Sequence, residues 1–154
     1  MPQNIKINED VLFNFYAFTK SKKSVYEDLP LYHYILRKGS AATSKVNTNK
    51  LYDPIKVRKE IFEFCLKNYD KEIQSLAYTS YLNAVISLYR TIKNNKLKAK
   101  KYKNDIKQIK QRLPLSNRTK VEKMLFLHFT SLHMFIYKVY DKFISKNSNK
   151  YEVK

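Results

Sequence analysis

The sequence predicts a mainly α-helical protein, with a short helix-plus-hairpin segment over residues 1–45 and a four-helix, lysine-rich module over 46–154. Three observations carry this. Apolar residues recur at helical spacing through most of the chain after Asp53. β-Formers flanked by turn residues, without helical spacing, occur between Val25 and Leu36. At 154 residues, 44% hydrophobic and 14% aromatic, the chain is long and apolar enough to bury a core.

The first element opens at Asn8, an N-cap residue type, with Glu9 and Asp10 in the first turn and Val11, Leu12, Phe15 and Phe18 on one stripe. A polar break over residues 20–23 follows. Val25-Tyr26 then reads as a short strand, Glu27 to Pro30 as a turn, and Leu31 to Leu36 as a second strand. Arg37 to Lys50 contains almost no large apolar side chain and reads as a polar loop. Asp53-Pro54 predicts a cap with proline at the first helical position, where its missing N–H costs nothing. The helix it opens runs to Asn68 and buries Ile55, Arg58 by its stem, Ile61, Phe62, Cys65 and Leu66. Lys71 to Asn94 repeats the period with Ile73, Leu76, Ala77, Tyr81, Ala84, Leu88 and Ile92. Leu97 to Leu113 carries Tyr102, Ile106, Ile109 and Leu113 among lysines, and Pro114-Leu115-Ser116 punctuates it. One last helix is expected from Arg118 to Lys146, about 43 Å long at 1.5 Å per residue.

Composition excludes several chemistries. The single glycine, Gly39, leaves no P-loop or dinucleotide-binding turn, since those need several positions where only glycine lets backbone approach phosphate. One cysteine, Cys65, permits neither an intramolecular disulfide nor a thiolate zinc cluster and fits a reducing, cytoplasmic setting. Neither a signal-peptide pattern nor a membrane-spanning apolar run is visible. His128 and His133 are five apart on one helix and point about 140° from each other, which suits core or boundary residues better than a metal pair.

The net charge is +18, from 31 Lys+Arg against 13 Asp+Glu. Lysine outnumbers arginine 26 to 5, beside 13 Asn and 13 Tyr, so part of the excess reflects AT-rich codon usage. Between Arg90 and Lys123, thirteen cations face only Asp105 and Glu122. Such a stretch serves nucleic-acid phosphates, an anionic leaflet, or merely a solvated helix face. Lysine dominance and long helices argue against sequence-specific DNA reading. The aromatic-rich last helix beside these lysines favours reversible attachment to an anionic membrane over nucleic acid. Glu9-Asp10 is the other constellation: the free N–H groups of a helix start hold carboxylates ionised, as a general base requires. A good helix start alone also explains it.

Asn8-Glu9-Asp10-Val11-Leu12-Phe13-Asn14, then Val25-Tyr26, then Leu29 through Ser40 (LPLYHYILRKGS) together resemble the second half of a family 2 glycosyltransferase of the GT-A fold. The type is the bacterial one that builds surface polysaccharides, and the likeness covers residues 5–45. It implies that residues 1–45 are the acceptor-side remnant of a GT-A catalytic domain and that 46–154 are a C-terminal helical module. Asp10 falls on the family's base, which deprotonates an acceptor hydroxyl that attacks a nucleotide-sugar with inversion, and Glu9 on its partner. Arg37 and Ser40 fall on substrate-binding positions at the diphosphate or acceptor side. His33 replaces a common tyrosine.

The family's Asp-x-Asp element and α/β donor-binding half have no counterpart in these residues. The expectation is therefore an incomplete transferase, inactive by itself, with no cofactor of its own. The divalent metal, Mg or Mn, belongs to a complete parent enzyme. The implied partners are a nucleotide-sugar, a saccharide or lipid-linked acceptor, a missing N-terminal half, and an anionic membrane on whose inner face the protein would be peripheral. The alternative is a non-enzymatic basic helical protein that binds nucleic acid or an acidic partner.

Overall fold

In the computed structural model, which describes residues 5–29, 47–92, 96–110 and 112–143, six helices and no strand are present among the described residues. They are α1 (Glu9–Lys20), α2 (Thr48–Asn68), α3 (Lys71–Thr91), α4 (Lys96–Gln108), α5 (Asn117–His128) and α6 (Thr130–Phe143). The mainly α expectation holds. The chain divides into two compact units, one reaching Val57 and the other beginning at Arg58.

In the first unit, α1 forms where its acidic first turn predicts, and Leu12 is its buried residue. Ile55 and Val57 of α2 are also buried, as is Asp53. The expected strand at Val25-Tyr26 does not form: residues 21–29 carry no regular structure, and these two side chains are 86% and 87% exposed. β-Propensity is realised only beside a pairing strand and over a buried face; residues 21–29 have no buried side chain, and no ladder partner for them is present among the described residues. The second strand, Leu31 to Leu36, and most of the polar loop lie outside the described residues.

The Asp53-Pro54 start is corrected. The α2 helix begins at Thr48, and Pro54 lies inside it. The cap is Asn47, whose side chain accepts the N–H of Lys50 at 2.9 Å while its carbonyl takes that of Leu51 at 3.2 Å. A side-chain acceptor nearly two turns upstream thus starts the helix before the proline can.

In the second unit α3 is the central helix, packing against α4, α5 and α6. Asp70 caps it through Glu72 N–H and Ile73 N–H, both at 3.0 Å. Its buried side consists of Tyr78, Leu82, Val85 and Ile86 together with Ala77, Tyr81 and Leu88, while Ile73 and Leu76 are exposed. Phe62 of α2 meets Tyr78 edge-on at 5.5 Å and stacks on Tyr81 at 6.2 Å, and Cys65 is buried on the same helix. The α4 helix contributes Ala99 and Ile106, and α5 contributes Phe126. Ser75 Oγ donates to the Pro114 carbonyl at 3.1 Å, fixing the segment before α5, which Ser116 caps through Thr119 N–H at 3.1 Å.

The single helix expected over 118–146 is two helices, so this module holds five helices among the described residues, not four. The break lies at Phe129, with φ −124° and ψ 49°. Thr130 Oγ1 donates to the Phe126 carbonyl at 2.7 Å, the acceptor that a straight helix would offer to the Thr130 amide. Such back-bonding by a hydroxyl is a known cause of helix bending. The chain then doubles back: Tyr137 and Glu122, which a straight helix would hold about 22 Å apart, are hydrogen-bonded at 2.5 Å.

Candidate functional site

The acidic turn lies in the first unit. Glu9 and Asp10 open α1 and are both exposed. Asp10 Oδ1 accepts the N–H of Val11 at 2.8 Å. Asn8 occupies the N-cap position but makes no side-chain cap bond; it adopts a left-handed conformation with φ 64° and ψ 22°, which Asn tolerates better than most residues. Its contribution is therefore the sharp entry into the helix, not the cap that its residue type suggests.

That entry is held from a distance. The carboxylate of Asp53, fully buried on α2, accepts Lys6 N–H at 3.0 Å and the Lys56 ammonium at 2.9 Å. Burial by itself raises the Asp53 pKa, but the Lys56 ammonium and the N–H groups of Lys6 and Ile7 outweigh it and bring it below its ordinary 3.8. A carboxylate that is ionised at neutral pH thus anchors the backbone three residues before Glu9. Sequence reading missed this role because the partner amide is 47 residues away; the signal available was an acid set between Tyr52 and Pro54-Ile55. Arg37 and Ser40, the substrate-binding candidates, lie outside the described residues. The structure therefore brings Glu9 and Asp10 together on one turn.

A second polar cluster joins α3, α5 and α6. Arg90 Nη2 donates to both carboxylate oxygens of Asp141 at 2.9 Å, and its guanidinium lies 4.1 Å from the Tyr137 ring centroid. Tyr137 donates to Glu122 Oε1, and burial with this carboxylate pushes the phenol pKa up to about 12. His133, 4% exposed, lies between Phe126 and Tyr137 at 6.0 and 5.0 Å, with no partner for Nδ1 among the described residues. Burial lowers its pKa, with Glu122 opposing and Arg90 adding to the shift. His133 is thus a core residue, whereas His128 is exposed. A cleft of about 390 Å³ opens beside this cluster, lined by Asn83, Ser87, Arg90, Arg118, Glu122 and Tyr137 among others.

The basic stretch is not one surface. Lys100, Lys101 and Lys107 of α4 are exposed, but Lys103 lies over the Phe126 ring at 5.5 Å and bonds Thr130, and Lys123 lies 5.0 Å from the Tyr78 centroid. Lys59 pairs with Asp105 at 2.7 Å. Among the described residues no group of three His, Cys, Asp or Glu side chains is placed to hold a metal, and no helix is long and apolar enough to cross a membrane.

No family model, curated protein or solved structure matches this chain.

Proposed function

We propose that this chain supplies the acceptor-side part of an inverting glycosyltransferase, with Asp10 as the general base and Glu9 as its supporting carboxylate. The observation that carries the reading is the exposed acidic turn at the start of α1, held by the buried Asp53 anchor. Phe13 and Phe18 of α1, with Val25, Tyr26 and Leu29 after it, are exposed, which suits a segment completed by another part of an enzyme. The order and spacing of residues 8–40 support the family assignment.

In this reading Asp10 takes the proton of an acceptor hydroxyl as the oxygen bonds to the anomeric carbon of a nucleotide-sugar, and the nucleoside diphosphate departs from the opposite face. Arg37 and Ser40 would contact the diphosphate or acceptor side. The family's Asp-x-Asp element has no counterpart in the sequence, and on that ground the proposal places the divalent metal and donor binding outside this chain.

Two measurements test the proposal. The 154-residue chain titrated with nucleotide-sugars and Mn²⁺ is expected to show no saturable binding, and micromolar binding would overturn the division of labour. In a transferase containing the segment, Asp10→Asn is expected to lower kcat by roughly 10²- to 10⁴-fold while leaving donor affinity unchanged. Full turnover by that variant would remove Asp10 from the chemistry. The second reading, a basic protein that binds nucleic acid or an acidic partner, draws on the exposed lysines of α4. It predicts salt-sensitive RNA or DNA binding that is lost when Lys100, Lys101 and Lys107 become Gln.

A further inference from the structure

Among the described residues of the second unit, the outer side of α6 is an uncovered apolar surface. Leu132, Phe135, Ile136, Val139, Tyr140 and Phe143 are all exposed, and Phe135 and Phe143 remain 62% and 72% accessible. Their spacing of three and four residues places them on a single stripe along the helix. The opposite side is already used, since His133 is buried there and Tyr137 is bonded to Glu122. Scattered exposed apolar residues need no explanation, but a continuous stripe on one amphipathic helix does.

Charge identifies the occupant. Across α5 and α6 the acids are Glu122, bonded by Tyr137, and Asp141, which is half-exposed but neutralised by its ion pair with Arg90. Beyond the Arg90–Asp141 pair, the exposed charges of the two helices are cations: Arg118 and Lys120 on α5, and Lys138 and Lys142 four residues apart on α6. A second copy of the chain is a poor partner, because it would bring another +18 and a matching set of lysines against the first. RNA would engage the lysines but leave the aliphatic part of the stripe in water. An anionic bilayer surface satisfies both features, taking the apolar side chains at the acyl boundary and the ammonium groups among the headgroups. At 14 residues, about 21 Å, α6 is suited to lying along such a surface.

We propose that the outer face of α6 docks on an anionic membrane, with Phe135 and Phe143 as the apolar anchors and Lys138 and Lys142 as headgroup contacts. The stripe borders a shallow groove of about 450 Å³ lined by Val121, Leu125 and Ile136, with Arg118 and Glu122 also in its wall. The proposal goes beyond the transferase reading and is independent of it, because vesicle binding does not report on Asp10.

Co-sedimentation of the full 154-residue chain with phosphatidylcholine vesicles, with and without about 30 mol % phosphatidylglycerol, is the test. Binding is expected to be at least about tenfold tighter to the anionic vesicles and to weaken as salt rises toward physiological strength. Phe135→Ser with Phe143→Ser is expected to reduce partitioning by roughly tenfold or more at both salt levels. Lys138→Gln with Lys142→Gln is expected to reduce it several-fold at low salt only. All four side chains are exposed, so helix content measured by circular dichroism should be unchanged and any loss of binding is not unfolding. No anionic-vesicle binding at low salt would overturn the proposal. So would binding indifferent to the phenylalanine substitutions, tighter binding to RNA than to vesicles at matched salt, or a dimer that loses vesicle affinity as it forms.

Discussion

Replacing Asp53 with alanine tests whether the start of α1 is held by the buried carboxylate. The substitution removes the acceptor of Lys6 N–H and the partner of Lys56, whose side chain is 49% exposed and can rehydrate. A hydrogen bond to a buried charge contributes about 1.5–3 kcal/mol, while the half-exposed ammonium adds only about 0.5 kcal/mol. Removing the carboxylate also relieves its desolvation, so the expected net loss is about 2 kcal/mol. Asp53→Asn keeps an acceptor for the amide but not the charge, and should lose about 1 kcal/mol. For a chain of this length the alanine variant should melt about 4–8 °C lower.

The pH dependence has a definite sign. Because the folded-state pKa of Asp53 lies below 3.8, the unfolded chain binds more protons in that window and stability rises with pH there. The contribution is complete above the ordinary value and disappears as pH falls through the folded one. Urea unfolding across this acid range, with amide exchange at residues 6–12, measures both effects. If both variants stay within about 0.5 kcal/mol of the parent, and exchange at Lys6 is unchanged, the anchor argument fails.

Asn8→Thr retains a capping side chain but places a β-branched residue at positive φ, so it should cost about 1 kcal/mol, whereas Asn8→Gly should be close to neutral in chemical denaturation. The hydroxyls of Tyr78 and Tyr81 are buried with no partner among the described residues, so Tyr78→Phe should leave stability equal or higher; Tyr137→Phe, which loses the Glu122 bond, should lower it by about 1 kcal/mol. His133 has a folded pKa below 6.5, so stability should decline as pH falls below that value, and His133→Gln should flatten this segment of the stability–pH curve.

The parts of this fold written locally in the sequence are those fixed by local physics. Periodicity locates α3 and α4, and Asp70 and Ser116 mark starts that their side chains do cap. Asn47 outranks Asp53 because the polar run before Leu51 hides a capping residue in what reads as loop. The α5–α6 break is illegible because threonine and phenylalanine are both acceptable inside helices, and the Thr130 hydroxyl bond to the Phe126 carbonyl has a counterpart at Thr79 inside unbroken α3; the Tyr137–Glu122 bond across the joint is a contact that local sequence does not encode. On α3 the period is right but the buried side turns toward Tyr78, Leu82 and Val85, since neighbouring helices choose the face. The acidic turn of the candidate site is legible as Glu9-Asp10, but its anchor arrives through a contact 47 residues long, and the Arg90–Tyr137–Glu122 cluster draws one residue from each of three helices. No spacing rule encodes such pairs.

Cys65 gives the molecule an internal clock. It is the chain's one thiol, it is 1% exposed on the α2 face that carries Phe62, and burial pushes its pKa up. An alkylating reagent therefore finds almost no thiolate while the helices stay closed, and each modified molecule records one opening of the second unit. When closing outpaces chemistry the labelling rate reads the free energy of that opening, and at high reagent concentration it reads the opening rate itself. The helical unit thus reports its own breathing through a single atom, with no engineered probe and no competing thiol.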